Sequence, residues 1–192
     1  MHWPAEALWE AVVPLLPGFT VEVLPRIAST NTELMRRARA GQTDPVLLVA
    51  KEQTAGRGRL GRAWFSGAEA GGPADGSSAG VAAPPDGAPD WPSLTFSLGL
   101  PLAPADWSGL SLAVGVSLAE SLDPAIGLKW PNDLWWRDRK LGGILIETAT
   151  PAGPAAATLT ALREPARTTR YVVIGVGTVS YTHLTLPTKR IV

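Results

Sequence analysis

The chain is 192 residues long, 45% apolar and formally neutral at pH 7. That length supports one ordinary domain with a buried core, and the balanced charge gives it no bulk attraction to nucleic acid or an anionic membrane. There is no cysteine and only two histidines, His2 and His183, so disulfides, thiolate metal sites, thiol nucleophiles and multi-histidine centres are excluded.

Residues Met1 to Phe19 are apolar but carry Glu6, Glu10, Pro4, Pro14 and Pro17 without a basic start, which is not a secretory signal pattern. No apolar run approaches the ~20 residues of a membrane-spanning helix, and a cytoplasmic location is expected. A short helix is predicted over Ala5 to Val13, then a strand from Thr20 to Leu24. Thr30 followed three residues later by Glu33 reads as a capping box. It opens a helix that ends near Ala40, with Leu34, Met35 and Ala38 inward. Val46 to Lys51 has strand length, and a glycine–arginine loop follows it. The Gly-, Ala-, Pro- and Ser-rich stretch 67–91 is expected to be a mobile low-complexity loop.

Ser93 to Leu100 resumes as a strand, and Ser108 is placed to cap a helix reaching Leu122. Three close strands follow, Ile126 to Trp130, Leu134 to Trp136 and Leu141 to Glu147, with Arg137 to Lys140 turning between the last two. After a loose connection from Thr148 to Thr169, Tyr171 to Val176 forms a final strand. This order predicts an α+β domain: a mixed, mainly antiparallel sheet with helices on one side.

Three segments carry chemistry. In Lys51 to Trp64, Gly56, Gly58 and Gly61 allow positive φ and close backbone approach, while Arg57, Arg59 and Arg62 offer paired donors to phosphate or carboxylate. The segment lacks the Gly-Lys-Ser/Thr of a Walker loop. Its Gly-x-Gly-x-x-Gly spacing is followed by a loop where a dinucleotide fold needs a helix. Alone, it equally suits a solvated basic turn or an RNA-binding patch.

In Lys129-Trp130-Pro131-Asn132-Asp133-Leu134, a lysine ends what reads as a buried strand, where its ammonium needs an anion; a lysine reaching out to water is the plain alternative. Asn132 and Asp133 suit the turn, and Asp133 is able to help position a metal. In Lys140 to Glu147, the paired Gly142 and Gly143 signal either a group lying against the strand or a bulged hairpin.

Together with Ser29-Thr30-Asn31 and Gln53, these segments resemble the catalytic domain of biotin–protein ligases, in the family's order and at roughly its spacing across about residues 20–177. The resemblance implies a class II aminoacyl-tRNA synthetase-like fold and a two-step reaction. Biotin and Mg-ATP give biotinyl-5′-AMP, and a lysine of a biotin carboxyl carrier domain of a biotin-dependent carboxylase then takes the biotinyl group. It assigns biotin to Ser29, Thr30, Asn31, Gln53, Arg57, Gly58, Arg59 and Lys129. ATP and the adenylate fall to Gly56, Arg57, Gly58, Arg59, Arg62, Trp64, Asn132 and Lys129, with Lys129, Arg59 and Arg57 as the catalytic group. Biotin, ATP and Mg²⁺ are the implied small molecules; no protein metal ligand is assigned, and a homodimer is left open.

The catalytic region begins at residue 1 with no DNA-binding helix-turn-helix before it, so no nucleic-acid partner is expected. After Gly177 the sequence leaves the family pattern. Ser180 to Lys189 resembles a translated sequencing-adapter read-through, so 178–192 reads as a non-native tail and the family's C-terminal β-barrel is expected to be absent. Rival readings are a lipoate-ligase-like acyl ligase, a non-catalytic biotin-binding remnant and a Gly–Arg nucleic-acid module.

Overall fold

The computed structural model describes residues 3–66, 93–149 and 169–178. The expected loop at 67–91, most of the connection after Thr148 and the tail beyond Thr178 lie outside the described residues. The elements run α1 (Ala5–Val12), β1 (Thr20–Ile27), α2 (Thr30–Arg39), β2 (Val46–Arg57), β3 (Ala63–Ser66), β4 (Thr95–Leu102), α3 (Leu110–Leu122), β5 (Gly127–Lys129), β6 (Asp133–Trp136), β7 (Arg139–Ala149) and β8 (Arg170–Thr178). The sheet order is β1-β2-β4-β8-β7-β6-β5, with β3 beside the far half of β2. β1 and β2 run parallel and the other pairs antiparallel, as a mixed α+β sheet requires.

The near-continuous apolar run of β8 is buried from Tyr171 to Gly177, the signature of a strand covered on both faces. Tyr171 and Val173 point to one face and pack with Leu34, Met35 and Ala38 of α2. Val172, Ile174 and Val176 point to the other, where Val114, Leu118 and Ala119 of α3 meet them. The two helices therefore cover opposite faces, which corrects the expectation of helices on one side. Burial of a side chain such as Leu34, 0% exposed, contributes about 1.5–3 kcal/mol.

Local chemistry explains the other departures. Ser29, not Thr30, caps α2, its Oγ accepting the Thr32 N–H at 3.3 Å. Glu33 is engaged instead by Arg36 and Arg37, at 2.8 Å each. The α3 helix starts at Gly109 without a side-chain cap, because Ser108 Oγ donates to Asp106 Oδ2 at 2.7 Å. The expected four-residue turn 137–140 contracts to two residues: Trp136 pairs with Arg139, and Arg137 and Asp138 take φ of 48° and 59°. Positive φ at both positions is the type I′ hairpin that matches strand twist.

The largest revision concerns β2. It extends through Lys51 to Arg57, so the glycine–arginine segment is a β-hairpin rather than a loop. A 3-10 turn at Arg59–Gly61 joins β2 to β3, with Leu60 at φ 57° and Gly61 at φ 73°. Gly56 permits the strands to close: a Cβ there would lie 2.3 Å from the Trp64 carbonyl oxygen.

Candidate active site

On the α2 face, the apolar packing of β8 gives way to bare backbone. Tyr171 and Val173 are followed at the same alternation by Gly175 and Gly177, and residues two apart share a face. Cross-strand partners share it too, so the register generates rows. One row reads Ser97, Gly175, Leu145 across β4, β8 and β7. The next reads Thr95, Gly177, Gly143, Asp133, Lys129 across β4 to β5.

The first row carries the start of α2. Asn31, 4% exposed, lies directly over Gly175, where a Cβ would come 2.1 Å from Asn31 Oδ1. Asn31 Nδ2 donates to Leu145 O at 3.3 Å and Glu147 Oε2 at 3.0 Å. Ser97 Oγ, fully buried, sits 2.6 Å from Asn31 Oδ1 and 2.7 Å from Thr30 Oγ1. The amide oxygen only accepts, so the single Ser97 proton goes to Asn31. Gln53 Oε1 then takes the Thr30 N–H at 2.7 Å, with Thr30 Oγ1 at 3.0 Å. Thr30, Asn31 and Gln53, brought together from α2 and β2, thus form one neutral cluster of donors and acceptors in which Ser97 joins Thr30 to Asn31, with Ser29 beside it capping the helix.

Beside it stand the cations. Arg57 Nε donates to Thr32 Oγ1 at 3.0 Å, and its Nη2 lies 3.2 and 3.1 Å from the two Glu147 oxygens. Arg59 Nη1 reaches Asn132 Oδ1 at 3.4 Å, which connects the hairpin tip to the Lys-Trp-Pro-Asn-Asp turn. Asn132 pins that turn to β7, with its Nδ2 donating to Ile144 O at 2.8 Å and the Ile144 N–H returning to Asn132 O at 2.9 Å. Asp133 accepts from Lys140 Nζ at 2.8 Å. Gly58 and Arg62 close the hairpin through a 2.7 Å backbone bond.

The second row is roofed by Trp64. Its indole rests on Gly177, whose Cβ position is 2.4 to 2.6 Å from ring atoms, and its edge is 3.6 Å from that of Gly143. Among the described residues, Trp64 Nε1, Thr95 Oγ1 and Trp135 Nε1 are buried without a hydrogen-bond partner, and Thr95 is 3% exposed. Buried polar atoms are nearly always satisfied, which makes these three candidates to meet a polar ligand.

Lys129 corrects one expectation. β5 is the terminal strand of the sheet and Leu128 is 36% exposed, so Lys129 does not end a buried strand. Its ammonium lies 4.1 Å from the centroid of the Trp135 ring, a cation–π contact. Lys129 shares the site's face, two strands from Gly143. That is roughly 10 Å at ordinary strand spacing, so the hairpin meets the turn through Asn132 rather than through Lys129.

The model for the Biotin/lipoate A/B protein ligase family matches residues 23–70. Over 133 residues the chain is 38% identical to the biotin–[acetyl-CoA-carboxylase] ligase of Mycobacterium tuberculosis, covering 68% of this chain and 45% of that protein. Over 145 residues it is 39% identical to the bifunctional ligase/repressor BirA of Escherichia coli, covering 73% and 39%. Over residues 23–70 the chain resembles the biotin/lipoate A/B protein ligase family.

It spans less than half the length of those two relatives. The fold agrees with a crystal structure of the Helicobacter pylori biotin acetyl coenzyme A carboxylase synthetase with bound biotinylated ATP, at a TM-score of 0.54 and 24% identity over 88% of this chain and 66% of that one. The Aquifex aeolicus biotin protein ligase in complex with biotin and ATP gives a TM-score of 0.50 at 24% identity, over 90% and 54%.

Sequence reading missed Ser97, Thr95 and Glu147 as members of the site. The signal was present for the first two. Thr95, Ser97 and Gly99 alternate with Phe96, Leu98 and Leu100 in a central strand, which marks one face as polar while both faces are covered. Glu147, a lone carboxylate at the end of an apolar strand, gave a weaker sign. Among the described residues no group of three or more His, Cys, Asp or Glu side chains stands together.

Proposed function

We propose that the chain activates biotin with Mg-ATP as biotinyl-5′-AMP and passes the biotinyl group to a lysine of a biotin carboxyl carrier domain. One observation carries this reading: a buried neutral donor–acceptor cluster and a set of cations share one sheet face. A ring urea presents one carbonyl and two N–H groups, which the Thr30, Asn31 and Gln53 cluster, with Ser29 beside it, matches in kind. A carboxylate at the far end of the same molecule suits Arg57 and Lys129. The likeness to the biotin–[acetyl-CoA-carboxylase] ligase of Mycobacterium tuberculosis supports the same chemistry.

In the first step a biotin carboxylate oxygen attacks the α-phosphorus and pyrophosphate leaves. In the second, a lysine amine attacks the acyl carbon, AMP leaves with the bonding electrons, and the amine sheds a proton. Bringing carboxylate and phosphate together requires screening of two negative charges, the task of Arg57, Arg59, Lys129 and the magnesium that arrives with ATP. Holding both reactants on one rigid sheet lowers the barrier further by alignment. The mixed anhydride hydrolyses readily, and the Gly56–Trp64 hairpin with its Trp64 roof is the element suited to shield it.

The test is pyrophosphate release from ATP with and without biotin, followed by mass spectrometry of a carrier domain. Biotin-dependent release and a biotinyl mass increment are expected. Lys129→Ala should cut the first step on the order of 10²–10³-fold with the thermal midpoint unchanged. Biotin binding without turnover would make the chain a binding protein, and turnover with lipoate alone would reassign the substrate.

A further inference from the structure

Glu147 has no part in the reaction outlined above, yet it touches two of the residues proposed for the ligand. It ends the apolar run of β7 on the α2 face, opposite Val173, with its side chain 25% exposed. One oxygen takes the Asn31 amide at 3.0 Å, and both lie within 3.2 Å of Arg57 Nη2. Thr32 Oγ1 takes Arg57 Nε at 3.0 Å. Two of the three guanidinium nitrogens are therefore fixed by the protein, from two different elements. Nη1 has no partner among the described residues.

We propose that Glu147 is the positioning residue for Arg57: with Thr32 it holds two nitrogens and presents Nη1 to the anion of the substrate. The inference rests on the ligase reading for the identity of that anion, the biotin carboxylate. A guanidinium on a long side chain samples many rotamers, and a charge-assisted hydrogen bond to a carboxylate restricts them more firmly than a neutral one. Asn31 shares the same carboxylate, so the arginine is set in register with the neutral cluster. This geometry spaces the ring-binding end of the site from its charge-binding end. Glu147 also offsets part of the arginine's charge.

Two readouts on the full chain separate this role from a merely structural one. In Glu147→Gln, which keeps size and an acceptor oxygen, phenylglyoxal labelling of Arg57, followed by peptide mass spectrometry, should rise about fivefold while Arg59 and Arg62 label as before. In the pyrophosphate assay the apparent KM for biotin should rise about tenfold with kcat changed less than threefold. Glu147→Asp, which retains the charge, should recover part of both. In an Arg57→Met background, Glu147→Gln should add nothing to KM.

Unchanged Arg57 labelling, an unchanged KM, or a full KM effect persisting in Arg57→Met overturns the proposal. A wild-type chain with no biotin-dependent pyrophosphate release removes the ligase reading instead, and the labelling ratio alone then decides whether Glu147 positions Arg57.

Discussion

Replacing Gly175 with alanine puts one methyl group where Asn31 now lies. The added carbon would sit 2.1 Å from Oδ1, 2.8 Å from Cγ and 3.2 Å from Nδ2, on a residue that is 4% exposed. The strand backbone is locked by β4 and β7 on either side, so the amide must move. Its bonds to Ser97, Leu145 and Glu147 go with it. At ~0.5–1.5 kcal/mol for each bond, the loss comes to about 2–4 kcal/mol. For a domain of this size, ~1 kcal/mol moves the thermal midpoint by about 2–4 °C, so a fall of roughly 5–15 °C is expected by circular dichroism. The cause is checked by a double-mutant cycle. Asn31→Ala removes the obstructing amide, and in that background Gly175→Ala should cost less than about 1 kcal/mol, a large coupling for a contacting pair. Additive losses would show that the methyl group clashes with something other than Asn31 and that the Asn31-over-Gly175 arrangement is wrong.

Gly56→Ala, with its Cβ 2.3 Å from the Trp64 carbonyl, should destabilise the hairpin by about 1–3 kcal/mol. Gly58→Ala, with nothing nearer than 3.5 Å, should melt as the parent does; equal denaturant midpoints for the pair would undo the packing argument. Arg59→Gly removes the contact to Asn132, and free biotinyl-AMP should then appear in the filtrate during turnover; retention equal to the parent's would discard the shielding role. Hydrogen bonding from Arg36, joined by Arg37, holds the Glu33 carboxyl down at about 2 against its ordinary 4.5. The folded value is the lower one, so the stabilisation is complete above about pH 4.5 and disappears as pH falls toward 2. Thermal melts of Glu33→Gln should lose that part of the acid dependence, and an unaltered profile between pH 5 and 2 would contradict it.

Periodicity made most elements legible, because hydrophobic spacing is a local property. The Leu34, Met35 and Ala38 stripe and the β8 run were both readable this way, but the expectation of helices on one side overlooked that a run apolar on both alternations needs cover on two faces. Motif order pointed to the residues of the neutral cluster. What the chain did not declare depends on partners distant in sequence. Thr30 fits a capping pattern with Glu33, but its hydroxyl and N–H are met by Gln53, 23 residues on, and Ser29 takes the cap. Thr54 to Arg57 has poor strand propensity, and it stays extended because β3 pairs with it and Ala55 N–H bonds Ala28 O at 2.8 Å. Lys129 looked buried among Ile126, Leu128 and Trp130, since nothing local says which strand ends a sheet. Glu147 acquires a meaning only when Arg57 and Asn31 arrive from other elements.

The α2 helix is fastened twice, at Thr30 and Asn31 by polar contacts and at Leu34, Met35 and Ala38 by apolar ones, within three turns. A helix advances about 100° per residue, so these two attachments fix its phase as two keyways fix a shaft. One residue inserted between Thr32 and Glu33 would set them out of step, and either the polar end or the greasy stripe would have to let go. The same insertion at Gln42 or Thr43, past the last fastening, would leave both seated. Laboratory libraries that vary chain length in this protein should therefore find Gln42 and Thr43 permissive and the stretch from Asn31 to Ala38 closed.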